Sequence, residues 1–399
     1  MKHNKIGIFV ATAALLCGAM GAWAQVRPAY SYPAKPTSGT EIGDTPAYYS
    51  WWLGTGVGYD DNLFLLENNA RGSGFYVVSP GLRIDARSPN SVIQLVQQYQ
   101  IGRYWSSHND DYIDYSTHAV ADMAFSQRAF GRVGLDYIKS HDPRGSTDRS
   151  ISLTPDTYKV LAPNATFAFG APGAQGRFEG YYAFAQRRYQ NNRATTQFSD
   201  RDTQEFGGAL YVKAGPKTYL LGEVRRTNID YKITSPNSAD ETRVYLGVTW
   251  EATAATQGTL KFGRLKRDFQ STLPDEKENS WEGQVIWAPR TYTQFEFLTS
   301  RQTNESSGEG NFILTEAYQL AWNHNWSSYL TTGVTARWQK DEYQGFDRTD
   351  DTKSLGLRVG YKFRPWLTLG AEYTRANRDS NRNNDYDRNL YLLTATIAP

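Results

Sequence analysis

The sequence predicts an all-β chain, specifically a transmembrane antiparallel up-and-down β-barrel of about 18 strands, with short periplasmic turns and long extracellular loops. Three observations predict it. Apolar and polar residues alternate through most of the chain with the two-residue period of a strand. The connections between these stretches alternate between short and long. The composition is 14% aromatic, with 27 Tyr and 34 Gly, yet polar overall. A sheet with one face in lipid and the other in water has this composition.

Residues 1–24 read as a signal peptide. Lys2, His3 and Lys5 precede an apolar run from Ile6 to Leu16, and small residues lead to Ala22-Trp23-Ala24. Cleavage is expected between Ala24 and Gln25. The apolar run falls short of the roughly 20 residues that span a bilayer. Cys17 is the single cysteine and leaves with this segment, so disulfides and thiolate metal sites are excluded from the mature chain. The segment also removes Lys2 and Lys5, leaving 41 basic against 41 acidic residues. A chain of zero net charge is not built for nucleic acid. Residues 25–46 carry Pro28, Pro33, Pro36 and Pro46 with no periodicity and read as a Pro-rich periplasmic linker. Residues 47–399 form the expected barrel.

Within that span, "RVYLGVTW" sets Val244, Leu246, Val248 and Trp250 on one face, opposite Arg243, Tyr245, Gly247 and Thr249. "SLGLRVGY" sets Leu355, Leu357, Val359 and Tyr361 against Gly356, Arg358 and Gly360. "WEGQVIW" and "LTLGAEYT" repeat the pattern. Short connections such as "RSPN" (87–90), "AGPK" (214–217) and "RPW" (364–366) alternate with long polar ones. The long ones include 141–156, 191–202, 271–279, 342–351 and 378–385. A soluble propeller or sandwich has no reason to privilege one end of its sheet. A membrane barrel has one, and strands of about ten residues would cross.

If the apolar faces meet lipid, the opposite faces line a lumen. The inward cations are then Arg83, Arg132, Arg177, Arg225, Arg243, Lys261, Arg337 and Arg358. The inward acids are Asp122, Asp136, Glu179, Glu205, Glu223, Glu282, Glu296 and Glu372. Neither sign dominates. Such residues pair across strands as ordinary sheet chemistry, or they line an aqueous passage, which eighteen strands are wide enough to hold. A balanced wall suits a neutral or mixed-charge solute. Inward Tyr181, Tyr211 and Tyr245 either pack within the wall or offer faces to sugar rings. Outward Trp281, Trp287 and Trp338 fit interfacial girdles.

The residues offer little to an enzyme. The mature histidines are His108, His118, His141 and His324, and none sits in a nucleophile-elbow or H-E-x-x-H setting. His108 and His141 have acidic neighbours at external strand ends, so a hydrolytic site assembled across loops is the alternative. No cofactor or metal is expected. The stretch "GVGYDDNLFLL" (56–66) places two aspartates in succession, on opposite faces of a strand, and lacks the D-x-D-x-D spacing of a calcium loop. It reads as the exit of the first strand into external water, with Leu63 to Leu66 folding back against the rim.

With that opening strand, after a signal peptide and short linker, the chain resembles the outer-membrane β-barrel porins encoded in exopolysaccharide operons (EpsL-like). The resemblance implies an integral barrel of a Gram-negative outer membrane, in contact with its lipids. It further implies a conduit for export of an exopolysaccharide or passage of another polar solute, with a polysaccharide and its assembly proteins as partners. A non-conducting structural or adhesive barrel holding surface glycan through its long loops is the alternative. The chain departs from many outer-membrane barrels at its end, "NLYLLTATIAP", where no terminal aromatic follows the closing strand.

Overall fold

The structure, a computed structural model, describes residues 39–171, 173–233, 235–251 and 255–399. The expected cleavage site at Ala24 and Gln25, and the linker up to residue 38, lie outside the described residues. A two-residue strand, β1 (Thr40–Glu41), lies beside the start of β2 (Ala47–Asp60). The ring continues through β3 (Ser73–Ser88), β4 (Ser91–Tyr104), β5 (Tyr112–Ala124), β6 (Ala129–Asp142) and β7 (Asp156–Phe169). Next come β8 (Gly176–Tyr189), β9 (Arg201–Gly215), β10 (Thr218–Tyr231), β11 (Ala239–Trp250), β12 (Thr256–Phe269) and β13 (Glu276–Arg290). It finishes with β14 (Thr293–Asn304), β15 (Phe312–Asn325), β16 (Leu330–Gln344), β17 (Arg348–Arg364), β18 (Leu367–Ser380) and β19 (Tyr386–Ile397).

Every strand of the ring runs antiparallel to its sequence neighbours, and β19 pairs with β2 from Leu390↔Asp60 to Ile397↔Leu53. The sheet therefore closes as an eighteen-strand barrel with β1 outside it. Closure leaves no unpaired edge, the condition a spanning sheet must meet in hydrocarbon. Turns at one end have two to six residues, and loops at the other reach thirteen, at 143–155. Pro80 and Pro163 lack an N–H, and the β3–β4 and β7–β8 ladders skip their positions.

Register places the apolar residues on one continuous outer face. Val57, Tyr76, Leu135, Phe206, Leu246, Phe262, Leu357 and Leu393 are all exposed, Leu246 at 73%. A belt of this extent cannot face water. The aromatics fall in two outward rows. Trp287, Phe295 and Trp322 stack near the turn end at 5.2 and 6.5 Å between centroids. Towards the loop end Trp338 stacks on Tyr318 at 5.4 Å, and Trp281 sits across from Arg301. No described helix is long and apolar enough to cross a membrane.

The strands run for 12 to 17 residues, longer than the ten that the alternation suggested. Beyond the belt the ladder continues with polar residues on both faces, which erases the apolar signal but not the hydrogen bonds. The stretch 342–351, expected as a long loop, is mostly strand, with a connection of only 345–347. Arg348 holds it in place, pairing with Asp350 at 2.6 Å and with Glu309 at 2.7 Å.

Candidate functional site

All fourteen candidate wall residues beside Lys261 and Asp122 lie on the face opposite the apolar belt. They do not converge on one point; most close with a neighbour on the same or the adjacent strand. Arg83 pairs with Asp85 at 2.6 Å, Arg132 with Asp122 at 2.7 Å, and Arg177 with Glu179 at 2.6 Å. Asp136 meets His118 at 2.5 Å, and Arg358 meets Glu372 at 3.4 Å. Arg243 is bonded to Glu241, and Arg337 to Gln339. Glu205 accepts from Thr227 at 3.4 Å, and Glu296 from Gln284 at 2.7 Å.

One group does form a network. Arg225 bridges Glu223 at 2.7 Å and Glu282 at 2.8 Å, and Lys261 bridges the same two acids at 2.9 and 2.6 Å. The Tyr181 hydroxyl donates to Glu223 at 2.8 Å and accepts from Arg225 at 3.0 Å. Tyr245 lies under both cations, 5.6 Å from the Arg225 guanidinium and 5.3 Å from the Lys261 ammonium. These charges are almost wholly buried, and each is satisfied by several partners, as buried ions must be. The tyrosines thus pack within the wall: Tyr181, Tyr211 and Tyr245 are buried, and Tyr245 offers no free face to a sugar ring.

The external mouth holds residues that sequence reasoning passed over. Loop 143–155 leaves β6 and returns on β7, yet it reaches loop 305–311 between β14 and β15, eight strands round the ring and almost diametrically opposite. The Asp148 carboxylate accepts the N–H groups of Ser307, Gly308 and Glu309 at 2.9 to 3.0 Å. Three successive amides round one carboxylate make an anion-holding nest. Arg149 braces this strut from behind, donating to Asp156 at 3.0 Å and to Ser199 at 3.0 Å, with its guanidinium 4.7 Å from the Tyr189 ring. At the near end Arg144 pairs with Asp110 and lies 4.1 Å over Phe64. Gly145, at φ +78°, packs against the Phe64 carbonyl, a position where a Cβ would collide.

The far anchor is Glu305. It accepts from Arg267 at 2.8 and 3.0 Å and from Tyr231 at 2.7 Å. Burial alone would raise its carboxyl, but the Arg267 guanidinium, with the Tyr231 hydroxyl, holds it below the usual carboxylate range. Beneath the strut lies a cavity of about 470 Å³, lined on one side by Asp114, His141, Tyr158 and Arg187, and on the other by Arg337, Asp341 and Arg378. Its size is that of a small-molecule site. Acids and guanidiniums both line it, so it offers donors and acceptors together.

His141 sits beside Ser140 and Asp114 at the external end of β6. Its Nδ1 meets Asp114 at 2.9 Å and its ring lies 4.3 Å from that of Tyr112, while the Ser140 hydroxyl donates to Asp114 and not to the imidazole. His108 is 3.8 Å from Asp111 on the exposed rim. Among the described residues no group of three or more His, Cys, Asp or Glu side chains is placed to hold a metal ion.

Asp60, Asp61 and Asn62 do not pass into external water as expected. Asp60 is 1% exposed and accepts a fork of bonds from Arg388 on β19 at 2.5 to 3.1 Å. Asp61 takes the Asn389 N–H at 2.6 Å and its side-chain amide at 2.7 Å. Asn62 donates to the carbonyls of Leu66 and Asp387. All three clasp the seam where the last strand meets the first. Leu63 is buried beside them and Leu65 reaches the cavity.

The fold is that of solved outer-membrane proteins. OccK1 (OpdK) of Pseudomonas aeruginosa superposes with a TM-score of 0.51 at 11% identity, over 88% of this chain and 99% of that one. OccK9 (OpdG) of the same organism gives 0.50 at 12%, over 88% and 98%. The FrpB iron transporter of Neisseria meningitidis is a looser likeness, at 0.45 and 10% identity, and this chain spans 62% of its length. No curated protein sequence matches significantly. The closed barrel, its outer apolar belt and its polar interior agree with the match of residues 52–398 to the family described as "Putative beta-barrel porin 2", and the chain belongs to that family of outer-membrane barrels.

Proposed function

We propose that this barrel conducts a polar solute across the outer membrane, and that loop 143–155 closes its external mouth in the state described here. The observation that carries the reading is the polar, charge-balanced face that continues round the whole closed ring. A wall with basic and acidic groups paired along it neither attracts nor repels one sign of ion strongly. Such a passage suits a neutral or zwitterionic solute. The resemblance to barrels of exopolysaccharide operons points to a glycan, whose hydroxyls need both the donors and the acceptors found under the strut.

Planar-bilayer recording of the refolded protein tests this. Wild type is expected to open rarely, with cation and anion permeabilities close to equal, and a variant lacking the strut is expected to stay open. Absence of conductance in both would overturn the reading. The strut itself favours a second one, a closed barrel that retains surface glycan through its loops. Deleting 191–202, which takes away the Arg149–Ser199 bond but keeps Asp148 on its three amides, abolishes glycan retention under that idea and spares it under the conduit.

A further inference from the structure

On the outer surface, β6, β7 and β8 set three cations side by side. Lys139 faces Lys159 in register, and Lys159 faces Arg188. All three stand on the lipid-facing side, in line with exposed Leu135, Leu161 and Tyr182. Like charges directly opposite one another destabilise a sheet, and the protein does little to offset them. Arg188 is bonded to Asp202 at 2.7 Å, an acid that Lys232 shares at 2.8 Å. Lys139 and Lys159 have no acidic partner among the described residues; Lys139 has only the Tyr115 ring, 6.0 Å from its ammonium. Several other cations on this rim are neutralised, as in Arg226–Asp240, Arg301–Glu278 and Lys340–Glu342. Lys266 also faces a lysine, Lys277, but there Asp268 and Asp275 close on it.

The level of the cluster says what meets it. Tyr99, Tyr115 and Tyr137 form a row along β4, β5 and β6, with centroids 5.6 and 5.8 Å apart. Outward tyrosine rows of this kind sit at headgroup depth. Lys139 is two residues beyond Tyr137 on the same face, about 7 Å further out. The ammonium groups thus reach the layer of lipid phosphates, while Leu135 and Leu161 below them lie against acyl chains. An isolated surface anion would meet only the upper half of this arrangement.

We propose that Lys139, Lys159 and Arg188 form a binding site for the phosphate of an outer-leaflet lipid, whose chains lie against the apolar residues of β6 to β8. The phosphate sits between the two lysines and relieves their repulsion, and Arg188, already oriented by Asp202, supplies a third donor.

The test uses the full-length barrel in detergent, titrated with purified bisphosphorylated lipid A and followed by thermal unfolding. A lysine near charged headgroups contributes about a factor of five, so K139Q/K159Q should bind about thirtyfold more weakly than wild type. Dephosphorylated lipid A should not distinguish the two proteins, and inorganic phosphate at equal concentration should stabilise neither. K353Q, on the outer face of β17 away from the cluster, should bind as wild type does. In lipid-free detergent the double variant should be at least as stable as wild type, because the repulsion is gone. A merely structural role for the lysines would not give that reversal. Equal binding by wild type and the double variant, or equal loss in K353Q, would overturn the proposal. Stabilisation by inorganic phosphate matching that by lipid A would also overturn it, in favour of a free-anion site. Should the double variant fail to fold, K159Q alone reads the same loss at about fivefold.

Discussion

Asp60 does more for this molecule than its place at a strand end suggests. Its carboxylate is buried and neutralised by Arg388 across the seam between first and last strands. Removing one partner of a buried pair strands the other, which costs about 3 kcal/mol or more. D60A should therefore lower the urea midpoint of the folded barrel markedly, and D61A, which loses bonds to one asparagine, should lower it less. Equal and small effects would mean the seam is held by its ladder alone. Asp148 is the second decisive residue. Its bonds to three amides are charge-assisted, and their loss is worth about 2 kcal/mol. D148A should raise the open-to-closed ratio in bilayer recordings roughly thirtyfold. A variant as closed as wild type would show that the strut does not govern the mouth.

At the scale of elements, the loops are not a fringe on the barrel. Loop 143–155 is a beam, tied by Arg144 at one end, by Arg149 in the middle and by Asp148 at the far wall. Loop 305–311 is its abutment, fastened through Glu305 to β12 and β10. This gives the closed state a definite pH dependence. The Glu305 carboxyl is held below its ordinary value, so its contribution is fully present above the unfolded carboxylate range, about pH 4.3, and is lost as pH falls through the lower folded value. Opening should be flat from pH 7 to about 5 and should rise only below about 4. In E305Q the bonds to Arg267 are weakened at every pH, so its recordings should open more readily at neutral pH and lose the acid step. An acid step unchanged in E305Q would place the switch on another carboxylate.

For the whole molecule, the charge arrangement follows from two solvents acting on one sheet. Lipid outside selects the apolar face, and the interior then carries nearly all of the charge within the membrane. Buried ions are tolerated because closure brings β10 through β13 near enough for Arg225 and Lys261 to share Glu223 and Glu282. Pairing of this kind stiffens the wall. It also leaves little net field along the lumen, consistent with weak selection by sign.

The sequence by itself determined the barrel. Alternation at period two and the alternating lengths of connection are local properties, printed along the chain wherever a strand meets lipid on one side. They sufficed for the closed antiparallel barrel and its eighteen strands. What they did not reach were the contacts between residues far apart in sequence. Asp148 lies 159 positions from Ser307, and Asp60 lies 328 from Arg388. Nothing periodic marks such pairs, and a polar loop that crosses a pore has the same composition as one in free water. Only closure of the ring brought them together, because an eighteen-strand sheet that has lost its edges must set its first and last strands side by side and its opposite loops across one mouth.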